Sequence, residues 1–114
     1  MLVVDDNADA AETVAEALRT YGYDAVTAGD AVTALATVGD EPPSAALLDL
    51  GLPPINGFEL ARALRSRFPG RPLRLIAVTG YGQQDDRQRS REAGFDAHLV
   101  KPVDLLSLHR LLAE

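Results

Sequence analysis

The chain alternates between short apolar runs and longer stretches in which apolar residues recur every three or four positions. Short runs of this kind predict β-strands, and the longer periodic stretches predict amphipathic helices. The expected strands cover residues 2–4, 23–27, 45–48, 73–78 and 97–100. The expected helices begin near residues 9, 31, 58, 84 and 105. Strand and helix therefore alternate five times along the sequence.

Short loops between alternating strands and helices favour parallel strands joined by right-handed crossovers. The sequence therefore predicts an α/β fold: a flavodoxin-like, doubly wound five-stranded parallel sheet of order 2-1-3-4-5, with five helices covering both faces. The continuous apolar run at residues 45–48 is expected to form the central strand. The helix expected at residues 84–93 is nearly all polar, so we expect it to be the least firmly docked.

Composition limits the classes of function. The chain has 114 residues, which predicts a single domain over residues 1–114. Its net charge of -6 disfavours direct binding to nucleic acid, and the lack of cysteine excludes disulfides and thiolate metal sites. No apolar stretch approaches the roughly 20 residues that span a bilayer, so we expect no membrane insertion and a cytoplasmic location.

Polar side chains follow the predicted strands. The first strand is followed by Asp5 and Asp6, the third by Asp49, the fourth by Thr79 and the fifth by Lys101, the only lysine of the chain. Carboxyl ends of parallel strands meet at one edge of a sheet, where doubly wound proteins form their sites. Three carboxylates held together repel one another, and a hard divalent cation relieves the repulsion. We therefore expect a Mg²⁺ site, because Mg²⁺ favours oxygen ligands.

A carboxylate beside Mg²⁺ can attack a phosphoryl group and form an acyl phosphate. Asp49 is the expected nucleophile, because it is single, central and followed by a glycine-containing loop. Lys101 and Thr79 would then bind phosphoryl oxygens, and Gly80 would leave room beside them. Each residue alone also has a structural interpretation as a helix cap, a turn residue or a solvated strand end. Their convergence on one edge favours the functional interpretation.

Four short motifs carry a resemblance to a known family. They are Asp5-Asp6, then Leu47 to Pro53 leading to Asn56-Gly57, then Val78-Thr79-Gly80, and finally Leu99 to Pro102. Together they resemble the receiver domain of two-component response regulators over essentially the whole chain. The resemblance implies that Asp5 (through water), Asp6, Asp49 and the backbone carbonyl of Gly51 hold Mg²⁺.

The resemblance also assigns roles in a phosphorylation switch. It implies that Asp49 accepts the phosphoryl group, that Thr79 and Lys101 respond to it, and that the bond before Pro102 is cis. His98 falls where many receivers have a tyrosine or phenylalanine that swings inward on activation. A histidine at this position can also change rotamer, so we expect His98 to take part in the switch.

The implied partners are a histidine kinase or a histidine-phosphotransfer domain as phosphodonor. The implied output is a change at the surface of the fourth helix, fifth strand and last helix, and catalysis is limited to the domain's own phosphotransfer and dephosphorylation. Residues 51–53, 80–82 and 98–102 resemble receivers of hybrid sensor histidine kinases more than receivers joined to DNA-binding outputs. A parent hybrid kinase is therefore one expected context, and we expect a monomer or weak dimer.

Three alternatives stay open at this point. An aspartyl-phosphate phosphohydrolase usually has a second acid two residues after the nucleophile, where this chain has Gly51. A flavin-binding module needs a first loop that cradles phosphate, and the carboxylates of Asp5 and Asp6 would repel it. A receiver that works as an unphosphorylated interaction domain is the third.

Overall fold

The structure, a computed structural model, describes residues 1–80 and 87–113. Its sheet has five parallel strands in the order β2-β1-β3-β4-β5, which confirms the predicted fold. The strands are β1 (Leu2–Val4), β2 (Val26–Ala28), β3 (Ala45–Asp49), β4 (Arg74–Thr79) and β5 (Ala97–Val100). All five residues of β3 are buried, as expected for the central strand.

Five helices connect and follow the strands in the described part of the chain. They are α1 (Ala8–Thr20), α2 (Ala31–Val38), α3 (Gly57–Arg67), α4 (Arg87–Ala93) and α5 (Leu105–Ala113). The predicted beginning of α4 near residue 84 lies outside the described residues. Polar side chains cap four of the helices by accepting hydrogen bonds from first-turn N–H groups: Asn7 for α1, Asp30 for α2, Asn56 for α3 and Asp104 for α5.

Each face of the sheet has its own hydrophobic core. Leu47 and Ile76 point toward α1 and α5, where they pack with Leu18 and Leu108. The neighbouring residues of the same strands point to the opposite face, which is covered by α2, α3 and α4; this second core includes Leu48, Ala77, Leu60, Leu64 and Ala93. The alternation follows from the two-residue repeat of a strand. Helix α4 buries Ser90 and Ala93 rather than large apolar side chains.

Several element boundaries differ from the prediction. By one residue, β3 extends to Asp49 beyond the predicted 45–48, α3 begins at Gly57 rather than 58, and β4 lies at Arg74–Thr79 rather than 73–78. Strand β2 was expected at residues 23–27 and is found at Val26–Ala28, because its partner β1 offers only three residues for pairing. The backbone N–H of Tyr23 instead donates to the carbonyl of Leu18 and closes the end of α1. Helix α1 was expected from about residue 9 and begins at Ala8, because the cap is Asn7.

Four arginines bind backbone carbonyls at the edge of the sheet opposite the carboxyl ends of the strands. Their acceptors are the carbonyl of Ala25 for Arg19, those of Leu73 and Gly94 for Arg65, those of Leu35 and Gly39 for Arg67, and that of Leu111 for Arg74. The last carbonyls of a helix have no partner within the helix, and a guanidinium group presents five N–H donors in a fixed plane. Arg65, Arg67 and Arg74 therefore bind carbonyls at the ends of α4, α2 and α5, whereas Arg19 and the second contact of Arg65 bind the carbonyls that precede β2 and β4.

In the part of the chain that the structure describes, no helix is both long enough and apolar enough to cross a lipid bilayer.

Candidate functional site

The structure places the predicted site residues at one edge of the sheet. Asp5 and Asp6 follow β1, Asp49 is the last residue of β3, Thr79 is the last residue of β4, and Lys101 follows β5. One carboxylate oxygen from each of the three aspartates lies within 4.8 Å of the others. The edge is shared because the strands are parallel, so their carboxyl ends all point in the same direction.

Lys101 holds two buried carboxylates at the centre of this cluster. Asp5 is 8% exposed and Asp49 is 7% exposed, whereas Asp6 is exposed to solvent. The Lys101 Nζ lies 3.0 Å from Oδ2 of Asp49 and 3.2 Å from Oδ2 of Asp5. Buried carboxylates require such partners, because burial without a partner disfavours the charged form.

The same contacts act on the lysine. Partial burial of the ammonium group by itself lowers the pKa of Lys101, but the hydrogen bond and charge of Asp49, reinforced by those of Asp5, outweigh it. The pKa of Lys101 is therefore raised above its usual value, and the side chain carries its positive charge at neutral pH.

Backbone groups orient the side chains of Asp49 and Asp5. The N–H of Gly51 donates to Oδ1 of Asp49 at 2.9 Å, so both oxygens of this carboxylate are held. The N–H of Asn7 donates to Oδ1 of Asp5 at 2.9 Å in the same way. Each carboxylate thus accepts from the residue two positions later, which fixes its rotamer at the start of the loop that follows the strand.

Gly57 is a positioning residue that was not predicted to be one. It opens α3 and lies so close to the end of β3 that a Cβ there would be 2.6 Å from the carbonyl oxygen of Asp49 and 2.8 Å from Cα of Leu50. Its N–H donates to the carbonyl of Leu50 at 3.3 Å. The sequence indicates only a turn at Asn56-Gly57, because the contact partner lies several residues earlier in the chain.

Backbone hydrogen bonds also connect the end of β4 to the residues that follow its two neighbours, β3 and β5. The N–H of Leu50 donates to the carbonyl of Val78 at 3.0 Å, and the N–H of Lys101 donates to the carbonyl of Thr79 at 2.8 Å. Thr79 is 6% exposed. The end of β4 is therefore hydrogen-bonded to the backbone on both of its sides.

Two proline bonds near the site are cis. They are the bond between Lys101 and Pro102, as the resemblance implies, and the bond between Pro53 and Pro54, which was not predicted. In the motif at residues 80–82, Gly80 is described, whereas Tyr81 and Gly82 lie outside the described residues.

The two histidines lie away from the carboxylates. His98 is half-buried in β5, and its Nε2 is 3.0 Å from Oγ of Ser90 in α4. His109, in α5, is half-buried and stacks on Tyr21 at the end of α1, with ring centroids 4.3 Å apart. Neither ring contributes to the three-carboxylate cluster.

The donor set fits a magnesium ion. The three donors are carboxylate oxygens, the ligand type that Mg²⁺ prefers. Two of them are held by hydrogen bonds from the backbone, and the third, on exposed Asp6, faces solvent that can supply further ligands. The carboxyl edge of a parallel sheet is where α/β proteins form their ligand sites, and carboxylates beside a lysine are the groups that hold Mg²⁺ together with phosphate oxygens in proteins of this class.

Comparison with known sequences identifies the family within this class. Residues 1–113 match the response regulator receiver domain, and the chain belongs to this family of signalling switches. Receiver domains bind Mg²⁺ at a cluster of aspartates and accept phosphoryl groups from histidine kinases, and Asp5, Asp6 and Asp49 form such a cluster here.

Two curated relatives represent different contexts of the domain. The probable transcriptional regulatory protein TcrX of Mycobacterium tuberculosis is 37% identical over 92% of this chain, and the sensor histidine kinase RcsC of Salmonella typhi is 34% identical over 99%. The chain spans 44% of the length of TcrX and 12% of that of RcsC. Relatives therefore include a hybrid-kinase receiver, as the sequence indicates, together with transcriptional regulators.

Solved structures agree on the fold. A CheY-like response regulator receiver domain protein from Methanospirillum hungatei is 32% identical, with a TM-score of 0.87 over 98% of this chain and 88% of that one.

Proposed function

We propose that the domain is a phosphoryl-accepting switch in which Asp49 receives a phosphoryl group from a phosphohistidine. The donor would be a histidine kinase or a histidine-phosphotransfer domain. The observation that carries this proposal is the geometry of Asp49: its buried carboxylate is held by the N–H of Gly51 on one oxygen and by Lys101 on the other. The domain is a signalling switch rather than an enzyme acting on a separate substrate.

In the transfer step, a carboxylate oxygen of Asp49 forms a bond to phosphorus while the bond between phosphorus and the donor's imidazole nitrogen breaks. The nitrogen keeps the electron pair of the broken bond. Asp5, Asp6, Asp49 and the backbone carbonyl of Gly51 would hold Mg²⁺. When bound, the ion neutralises charge on the carboxylates and on the phosphoryl oxygens.

Lys101 and Thr79 would couple phosphorylation to the surface. The Lys101 ammonium, which pairs with Asp49 and Asp5, is placed to pair with an oxygen of a phosphoryl group on Asp49. The hydroxyl of Thr79 would donate to another oxygen. Because the N–H of Lys101 is hydrogen-bonded to the carbonyl of Thr79, both responses act on β4 and β5 together and change the surface of α4, β5 and α5.

The test is phosphorylation by a small-molecule donor such as acetyl phosphate, in the presence of Mg²⁺, followed by intact mass measurement. We expect one phosphoryl group on the wild type, none on Asp49→Asn, and one on Asp40→Asn, whose carboxylate is exposed and far from the cluster. Lys101→Ala should still bind Mg²⁺ but lose the change at the surface, as measured by backbone NMR shifts of β5 and α5.

Each other outcome has a defined meaning. Phosphorylation of Asp49→Asn at the wild-type rate would refute the assignment of the phosphoacceptor. Mg²⁺ binding without any adduct, from acetyl phosphate or from a phosphorylated histidine kinase, would favour an unphosphorylated interaction domain. Repeated turnover of a small phosphate ester would favour a phosphohydrolase. We further propose a cytoplasmic location and a monomer or weak dimer without direct contact to nucleic acid.

A further inference from the structure

The loop that carries two of the three clustered aspartates also begins helix α1. Asn7, the residue after Asp6, ends the loop and caps the helix. Its side-chain Oδ1 accepts a hydrogen bond from the N–H of Ala10 at 3.1 Å, and its carbonyl accepts one from the N–H of Ala11 at 3.0 Å. Its own N–H donates to Oδ1 of Asp5 at 2.9 Å. One exposed residue thus contacts both the first turn of α1 and a carboxylate of the cluster.

The first turn of α1 has little packing of its own. Residues 6–9 are exposed and Ala10 is half-buried, so the buried positions of α1 begin at Ala11. Helices α2 and α3, by contrast, begin on buried residues, Ala31 and Gly57. A side-chain cap supplies a partner that the first N–H groups of a helix lack, and its removal destabilises the first turn. The Asn7 cap therefore keeps this turn, and with it the N–H on Asp5, in place.

Asp6 depends on the same turn. Its carboxylate is the exposed member of the cluster, and within residues 1–80 and 87–113 no hydrogen bond or ion pair holds it. Its position is set by its neighbours in the chain: the N–H of Asp5 donates to the carbonyl of Ala28 at 3.1 Å on one side, and Asn7 is held by α1 on the other. A group that moves freely loses conformational entropy when it binds, and a backbone fixed on both sides reduces this cost. The Asn7 cap therefore limits the positions open to the Asp6 carboxylate.

Asn7 supports the cluster without belonging to it. Its Oδ1 is engaged by the N–H of Ala10, and the cluster consists of three carboxylates. Groups that orient metal ligands in this way tune the affinity for the metal. Because Asn7 contacts Asp5 through its backbone N–H, a side-chain substitution keeps that donor and changes only how firmly the cap holds it. Loss of a cap shifts the equilibrium of a first turn by a factor of about 2 to 30.

We propose that Asn7 is a positioning residue of the Mg²⁺ site: its cap on α1 holds the loop at residues 5–7, so that the first turn of the helix and the ligands Asp5 and Asp6 form as one unit. The proposal rests on the proposed function, which assigns Mg²⁺ to this cluster, and adds a residue that sets the affinity. Because coupling between two sites is reciprocal, Mg²⁺ in turn stabilises the first turn of α1.

The first test measures the affinity of the unphosphorylated protein for Mg²⁺ by titration followed with backbone NMR. We expect Asn7→Ala, which removes the cap, to bind Mg²⁺ about 2- to 30-fold more weakly than the wild type. Asn7→Ser keeps a neutral cap and should restore the wild-type affinity. Ala17→Gly, half-buried toward the other end of α1, is the matched control. It destabilises the same helix by a similar amount without a change of charge, and it should leave the affinity unchanged.

The outcomes separate this role from a structural one. If Asn7→Ala melts at a lower temperature but binds Mg²⁺ as tightly as the wild type, the cap is structural only and the proposal is refuted, while the proposed function stands. If Ala17→Gly weakens binding as much as Asn7→Ala does, general destabilisation of α1 explains the effect and the proposal is also refuted. A wild type that does not bind Mg²⁺ would overturn both the proposal and the Mg²⁺ site of the proposed function.

The second test uses amide hydrogen exchange in the wild type. The N–H groups of Ala11 and Ala34 occupy equivalent places, because each donates at 3.0 Å to the carbonyl of the residue that caps its helix, Asn7 or Asp30. Mg²⁺ should slow exchange at Ala11 more than at Ala34, because only the first turn of α1 is coupled to the site. An equal change at the two positions in protein that binds Mg²⁺ would contradict the coupling.

Discussion

Gly57→Ala tests whether the first turn of α3 positions Asp49. The added Cβ would lie 2.6 Å from the carbonyl oxygen of Asp49 and 2.8 Å from Cα of Leu50, whereas ordinary contacts are 3.4 to 4 Å. Both atoms are backbone atoms at the end of a buried strand and cannot rotate away as the end of a side chain does. The helix or the strand end must therefore shift by several tenths of an ångström.

The cost follows from two opposing contributions. Overpacking of this kind costs about 1–3 kcal/mol, and alanine regains up to about 1 kcal/mol over glycine within a helix. We therefore expect the free energy of unfolding to fall by about 1–2 kcal/mol, which lowers Tm by about 4–8 °C in a domain of this size. Displacement of Asp49 should also slow phosphorylation by about 10- to 100-fold. Urea unfolding followed by circular dichroism, and time-resolved intact mass, measure the two effects.

Gly29→Ala is the matched control, because a Cβ at Gly29 meets no atom within 4 Å and that residue does not have a positive φ. Its stability should stay within about 0.5 kcal/mol of the wild type. If Gly57→Ala unfolds at the same urea concentration as Gly29→Ala and is phosphorylated as fast, the contact with Asp49 does not constrain the site.

Two further predictions concern other contacts. Arg65→Lys keeps the positive charge, but its single nitrogen cannot replace the planar guanidinium group that binds the carbonyls of Gly94 and Leu73 together. We therefore expect a loss of about 1–3 kcal/mol in urea unfolding. An equal loss in Arg62→Lys, an exposed position of the same helix, would contradict this. The backbone hydrogen bond from Thr33 lowers the pKa of Asp30 below 3.8, so the stabilisation by this cap is present at neutral pH and is lost as the pH falls through the folded-state pKa. The difference in stability between wild type and Asp30→Ala should therefore shrink in acid, and a difference that is the same at pH 7 and well below pH 3.8 would disprove the assignment.

The architecture was predictable because it depends on local patterns. The apolar period separates strands from helices, and short connections make the strands parallel, which leaves few possible strand orders. The boundaries of β2 were not predictable in this way. Tyr23 and Ala25 have the composition of a strand, but β1 offers only three residues for pairing, and Arg19 binds the carbonyl of Ala25 instead.

The candidate site also has a part that could be predicted from the sequence and a part that could not. Asp49, Thr79 and Lys101 could be found because each follows an apolar run, and parallel strands bring such positions to one edge. Gly57 and Ser90 could not be assigned their contacts. Gly57 occurs in a sequence typical of a turn, and Ser90 occurs in a nearly all-polar helix, so neither stands out from its neighbours. Their importance comes from atoms of distant elements, which no local pattern encodes.

The arginines at the helix ends give the molecule an electrical polarity. Arginine occurs in the last turn of α1, α3, α4 and α5, whereas aspartates gather at the opposite edge, around the site. These side-chain charges oppose the helix macrodipoles, whose positive ends point toward the site, and Arg19 and Arg65 are also neutralised by ion pairs with Glu12 and Asp96. At low salt concentration, the aspartates attract a cationic surface of a binding partner before the two proteins touch. Added salt screens this attraction over distances of about 10 Å.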